Sequence, residues 1–178
     1  MSYYKASATS RKNIQELVYS LKKIVHLENE MYFPVVQFLE NILPIINPGF
    51  QLEIVPLAEM ENKHGETCPH KNLIRIREDV YLGAVAGCGR DRLTIAHEIG
   101  HLLMHDAGRI SLCELAPNEE LRPFEDPEWQ ANAFGGELLA STYLIKGMTP
   151  CDVSYKCGVS MDAARVQLKV ASEQWTTN

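Results

Sequence analysis

Apolar residues recur along this chain with two different periods, and the changes of period mark its elements. Ile14, Leu17, Val18, Leu21, Ile24 and Val25 fall at helical spacing between Lys and Glu residues. This predicts an amphipathic helix within residues 10 to 30, with Ser10 as its N-cap. A second helical stripe, Val35, Phe38, Leu39, Ile42 and Leu43, opens just after Pro34 and is expected to stop at Pro44 and the Asn47-Pro48-Gly49 turn. The period then shortens to two. Phe50, Leu52 and Ile54 alternate with Gln51 and Glu53, which predicts a strand closed by Pro56, and residues 72 to 77 predict another. The polar stretch from Glu59 to His70, containing Gly65 and Pro69, reads as a hairpin loop lying near a cleft.

Helical spacing returns with a short run from Asp79 to Val85, punctuated by Gly87, Gly89 and the charged Arg90-Asp91-Arg92. Ile95, Ile99, Leu102 and Leu103 then form one apolar face, and that helix is expected to end around Asp106-Ala107-Gly108, with Gly108 as its cap. Residues 109 to 127, rich in acids and Pro, read as a connecting loop. A further helix begins at Glu128, and the Gly135-Gly136 pair within it implies either a bend or a close contact with another helix. The tail carries two short helical patterns divided by Cys157-Gly158-Val159, with Ser160 as the N-cap of the second. This is the outline of a helix-turn-helix, but Asp162 and Glu173 offset Arg165 and Lys169, so the tail reads as packing.

Together these elements predict an α+β fold with a small antiparallel sheet packed on helices. The expected organisation is one domain over residues 1–178: an N-terminal helical layer (1–48), a core (49–145) and a C-terminal helical tail (146–178). Composition suits this reading, since 178 residues that are 46% hydrophobic and 22% charged can bury one sizeable core. The net charge of -6 argues against a broad nucleic-acid footprint. The first residues lack an apolar signal region and no apolar run approaches bilayer length, so a cytoplasmic protein without a membrane role is expected. Five cysteines, Cys68, Cys88, Cys113, Cys151 and Cys157, are odd in number and irregular in spacing, which predicts reduced thiols. Cys68-Pro69-His70 has no matching pair nearby and reads as a loop with a free thiol.

The candidate chemistry sits in His97-Glu98-Ile99-Gly100-His101. Histidines four apart share one face of a helix and can grip one ion, and a glutamate next to the first is the signature of zinc hydrolases, where it takes a proton from the attacking water. A catalytic zinc needs a third protein ligand. His105 is excluded, because eight residues beyond His97 is about 12 Å along a helix axis. Glu114, Glu119, Glu120, Glu125, Asp126 and Glu128 remain, with Glu128 favoured because it opens a helix and Asn132, one turn on, can support a ligand. His64, His70, Tyr81 and Tyr143 are candidates for stabilising the developing oxyanion.

Arg92-Leu93-Thr94-Ile95-Ala96-His97-Glu98-Ile99-Gly100-His101, followed by Glu128-Trp129-Gln130-Ala131-Asn132-Ala133-Phe134, resembles the ImmA/IrrE family of metallopeptidases. Ile74-Arg75-Ile76 and Arg90-Asp91-Arg92 extend the resemblance to about residues 50 to 145, leaving the N-terminal helices outside it. Gly135 stands where the family usually has Ala, and Ala140-Ser141 where Met-Pro is frequent; neither touches the ligands. The resemblance implies a zincin-like, gluzincin-like domain with Zn2+ held by His97, His101 and Glu128, and Glu98 as general base. It also implies a protein substrate, such as a helix-turn-helix repressor of a mobile element or stress response, cut by an endopeptidase. Some relatives of this kind act in toxin-antitoxin-like pairs, so a zinc-binding regulator that holds a repressor or antitoxin without proteolysis is the alternative.

Overall fold

The computed structural model describes residues 4–60, 62–105, 113–114 and 122–173. The N-terminal strand β1 (Tyr4–Lys5) leads into α1 (Arg11–Ile24), whose start is capped by Ser10 Oγ accepting from the Asn13 amide at 3.1 Å. This helix buries Ile14, Val18 and Leu21, and it stops earlier than the apolar pattern suggests: Ile24 is exposed and His26 turns the chain with φ of 57°.

The second helical stripe does not stop at Pro44. It runs as α2 (Val35–Gln37), a π-helical stretch (Phe38–Ile42) and α3 (Leu43–Ile46). Proline has no amide to donate to the carbonyl one turn back. The π-helical turn, in which the Leu43 amide reaches Phe38 O, widens the ladder just before the ring and lets the helix continue to Asn47.

Next come β2 (Gln51–Val55), the short α4 (Leu57–Met60), β3 (Gly65–Cys68) and β4 (Leu73–Arg77). The sheet order is β2-β4-β3. It is mixed rather than antiparallel: β3 pairs antiparallel with β4, but β2 runs parallel to β4, with Gln51 opposite Leu73 and Val55 opposite Arg77. The physical reason lies in the connection. Instead of a hairpin loop, residues 56 to 72 form a crossover that contains a helix and its own edge strand, so β4 returns in the direction of β2.

The helices α5 (Glu78–Val85), α6 (Gly89–Met104) and α7 (Pro127–Leu139) follow, with the two-residue strand β5 (Cys113–Glu114) pairing antiparallel with β1. α6 starts several residues before the apolar pattern suggests, so the charged run lies inside the helix and Arg92 is buried. Its guanidinium is satisfied by carbonyls: Nη2 donates to Phe33 O at 2.9 Å and to Cys157 O at 3.3 Å and Nε to Gly158 O at 2.9 Å, with Tyr32 OH as a further partner. That single side chain ties α6 to the segment before α2 and to the turn between α8 (Pro150–Cys157) and α9 (Met161–Glu173). α8 opens with a Thr149/Asp152 capping box and closes on Gly158 at φ 62°, and Ser160 Oγ accepts from the Ala163 amide at 3.2 Å.

α7 is not broken at its glycine pair. It runs straight through, and Gly135 is where it presses on α6: a Cβ there would stand 3.1 Å from the His97 amide nitrogen and 3.3 Å from the Ala96 carbonyl carbon. Phe134, Leu138 and Leu139 from α7 join Ile95, Ile99, Ile74, Ile76, Val18, Phe38 and Ala164 in a continuous apolar core. α6 therefore has one face in that core and the other facing β3 and open space. Among the described residues no helix is long and apolar enough to cross a membrane. The predicted Gly108 cap and Glu119 and Glu120 lie outside the described residues, as do most of residues 109 to 121.

Candidate metal centre

The helical repeat of α6 aims His97 and His101 to the same side, and α7 brings Glu128 to meet them. α7 begins at Pro127, a residue suited to the first helical position, and Asp126 Oδ1 caps it by accepting from the Glu128 amide at 2.9 Å. Glu128 is thereby fixed in the first turn of its helix. Its Oε2 lies 3.3 Å from His97 Nε2 and its Oε1 lies 3.3 Å from His101 Nε2, while the two Nε2 atoms are 2.9 Å apart. His97, His101 and Glu128 are the one group of three or more His, Cys, Asp or Glu residues among those described whose ligand atoms all lie within 4.8 Å of one another.

These residues fit a small divalent ion. Tetrahedral ligands about 2.0–2.1 Å from zinc stand roughly 3.3 Å apart, which is the observed imidazole-to-carboxylate spacing; the two imidazoles would part by a few tenths of an ångström. Both imidazoles turn Nε2 inward because Nδ1 is engaged behind: His97 Nδ1 lies 3.0 Å from Asn132 Oδ1, and His101 Nδ1 lies 2.9 Å from His105 Nδ1. His105 stands outside the three-residue group and is buried, its Nε2 3.1 Å from Gln130 Oε1, and burial pushes its pKa down to about 4. Glu128 is held well below the usual carboxylate range by the His101 and His97 imidazoles that face it. Burial works to lower the His97 pKa, but the Glu128 carboxylate facing it and the nearby Glu98 charge outweigh it, and the net shift is upward.

Glu98 lies on the β3 side of α6 and is only 6% exposed. Thr67 Oγ1, from the edge strand, stands 2.6 Å from its Oε2 and 3.0 Å from its backbone carbonyl. Burial raises the carboxyl pKa, against the pull of the Thr67 hydrogen bond and of His97 and His101. A cleft of about 610 Å³ opens over these groups, with His64, Arg90 and Thr94 along its wall. Arg90 Nη2 is 3.5 Å from His64 Nε2.

The other candidates are placed elsewhere. Glu125 pairs with Lys5 at 3.1 Å and Asp126 caps α7, so neither turns to the histidines. Glu114 lies on β5, and its side chain is not among those described. Of the four residues considered for the oxyanion, His64 alone lines the cleft; Tyr81 donates to Glu40, Tyr143 OH donates to Glu28 O at 2.5 Å, and His70 lies in a helical turn after β3. Cys68, Cys88, Cys151 and Cys157 are free thiols. Sequence reading missed β3 and with it Thr67 and Gly65, because a four-residue strand gives too short an alternation to stand out. It also considered His105 only as a ligand, although the spacing that puts His101 one turn from His97 puts His105 one turn further.

A two-histidine helix facing a carboxylate-bearing helix, beside the edge of a small mixed sheet, defines a zincin-like α+β protein. A family model for the IrrE N-terminal-like domain, Peptidase_M78, matches residues 49–168, and the chain belongs to this metallopeptidase family. Nothing among curated proteins matches the chain significantly.

Proposed function

We propose that the chain is a cytoplasmic zinc-dependent endopeptidase that cuts a regulatory protein partner, such as a helix-turn-helix repressor of a mobile element or stress response. The observation that carries this reading is the convergence of His97, His101 and Glu128 on one point beneath an open cleft, with the carboxylate of Glu98 next to them. His97, His101 and Glu128 hold the ion, and Asn132 orients His97. When bound, zinc supplies Lewis acidity, polarising the scissile carbonyl and easing loss of a proton from the attacking water.

The chain's own groups do the rest. Thr67 holds Oε2 of Glu98, leaving Oε1 to accept the water's proton and hand it to the departing amine. Burial keeps that carboxyl basic enough for both transfers. His64, which lines the cleft with Arg90 beside it, stabilises the negative charge developing on the carbonyl oxygen in this reading. Net acidity and the absence of a cationic stripe in the tail fit a protein substrate better than a nucleic acid.

The test combines metal analysis with partner cleavage. About one zinc per chain is expected, lost in His97→Ala and in Glu128→Ala. Incubation with a regulator encoded by an adjacent gene, where there is one, followed by mass spectrometry, should show cleavage by the wild type and none by Glu98→Gln. If Glu98→Gln inactivates the partner as fast as the wild type, the protein works by binding and the peptidase reading fails.

A further inference from the structure

His97 and His101 must each present a lone pair on Nε2 to hold an ion, and a neutral imidazole does so only as the tautomer protonated on Nδ1. For His97 the partner behind is an amide oxygen, Asn132 Oδ1. For His101 it is another imidazole nitrogen, His105 Nδ1, which could in principle donate or accept. We propose that His105 and Gln130 are positioning residues that hold His101 in its metal-ready tautomer. This rests on the metal reading above and extends it to a pair of residues outside the ligand set.

The assignment follows from the far end of the chain of hydrogen bonds. Gln130 is buried, and its Nε2 donates to two backbone carbonyls, Ser7 O and Phe124 O, each at 2.9 Å. Carbonyls cannot donate, so the amide has only one orientation, with Oε1 directed at His105 Nε2. An amide oxygen accepts; His105 therefore carries its proton on Nε2. Its Nδ1 is then the acceptor, and the proton between the two rings belongs to His101 Nδ1. His101 Nε2 is left bare, 3.3 Å from Glu128 Oε1 and 2.9 Å from His97 Nε2.

Two backbone carbonyls thus set the polarity of a relay that ends at the candidate metal site. Those carbonyls come from the segment after β1 and from the turn before α7, so closing the N-terminal segment onto the core also completes the support of His101. With His105 reversed, His101 would point an N–H at the ion position, and its affinity for a cation would be lost.

Imidazole nitrogen spectra of the ¹⁵N-labelled, metal-free wild-type chain read the tautomers directly. His101 protonated on Nδ1 and His105 on Nε2 are expected; His101 protonated on Nε2, or His105 on Nδ1, overturns the assignment. A competition titration with zinc gives the energetic counterpart. His105→Phe should bind zinc about 10- to 100-fold more weakly. His105→Asn, whose Oδ1 stands near the place of Nδ1, should recover most of the loss, which a simple packing defect would not allow. Wild-type affinity in the Phe variant, or an Asn variant as weak as the Phe one, overturns the role, and should a variant not fold, the wild-type spectra decide. A wild-type chain that takes no zinc refutes the metal reading itself, whereas normal zinc binding with the wrong tautomers refutes only the assignment to His105 and Gln130.

Discussion

Thr67 Oγ1 stands 2.6 Å from Oε2 of Glu98, so a hydroxyl on the edge strand holds the carboxylate of the neighbouring helix. A hydrogen bond to a charged group contributes about 1.5–3 kcal/mol, which is about 10- to 100-fold if it is needed in the transition state. Thr67→Val should therefore cut the rate of partner cleavage by that factor, with zinc content unchanged, and Thr67→Ser should restore most of it. A Val variant at wild-type rate would show that the hydroxyl plays no part.

Two residues before Thr67, the strand leaves no room for a side chain. A Cβ on Gly65 would lie 2.8 Å from Glu98 Cγ and 2.9 Å from its Oε1. The atoms it meets are the far end of a flexible side chain, so the backbone can stay where it is and the carboxylate must move. Gly65→Ala is expected to melt within a few degrees of the wild type and to keep its zinc, yet to lose most of its activity. Loss of fold and activity together, seen by circular dichroism, would place the role of Gly65 in the backbone instead.

How much of this was legible in the sequence depends on the range of the interaction. The pairing of His97 with His101 could be read because ligand spacing and helix period are both local, and Glu128 because a helix is expected to open at it; the helix in fact starts one residue earlier, at Pro127, with Asp126 as its cap. The α+β class was legible for the same reason. The parallel pairing of β2 with β4 was not, since pairing direction depends on what the connection does in space and a short edge strand leaves little trace in composition. The burial of Arg92 was equally hidden. An Arg-Asp-Arg run looks like surface until the carbonyls of Phe33, Cys157 and Gly158, all distant in sequence, are brought around it. The tail's short helices were read correctly, but their tie to α6, through the Arg92 side chain and the close approach of Gly89 to Val159 and Ser160, was not.

The contact between α6 and α7 offers a prediction about stability. A Cβ at position 135 would meet backbone of α6, which cannot turn away as a side chain can. Gly135→Val adds two further methyl groups there, and overpacking of this kind costs typically 1–3 kcal/mol. For a chain of this size the melting temperature should fall by roughly 3–10 °C. Because His97 is the residue being pressed, zinc affinity should fall as well; a Val variant with wild-type melting and wild-type zinc binding would contradict the packing described.

Away from the cleft, Lys22 predicts a stability that grows in mild alkali. Its side chain is fully buried, its Nζ donates to Ser141 Oγ at 2.8 Å, and burial pushes its pKa from 10.5 down to about 8, with Glu137 and then Cys157 pulling the other way. The folded chain therefore releases this proton at lower pH than the unfolded chain does. Between about pH 8 and 10.5 the unfolded state binds more protons, so unfolding free energy rises with pH across that window. Below pH 8 the full cost of the buried charge is present, about 3 kcal/mol from the size of the shift, and above 10.5 it has gone. Urea titrations of the wild type at intervals from pH 7 to 10.5 should show this gain, relative to Lys22→Met, in which the lysine's contribution is absent. If the two proteins change in parallel across that range, Lys22 is charged in the fold as readily as in the unfolded chain.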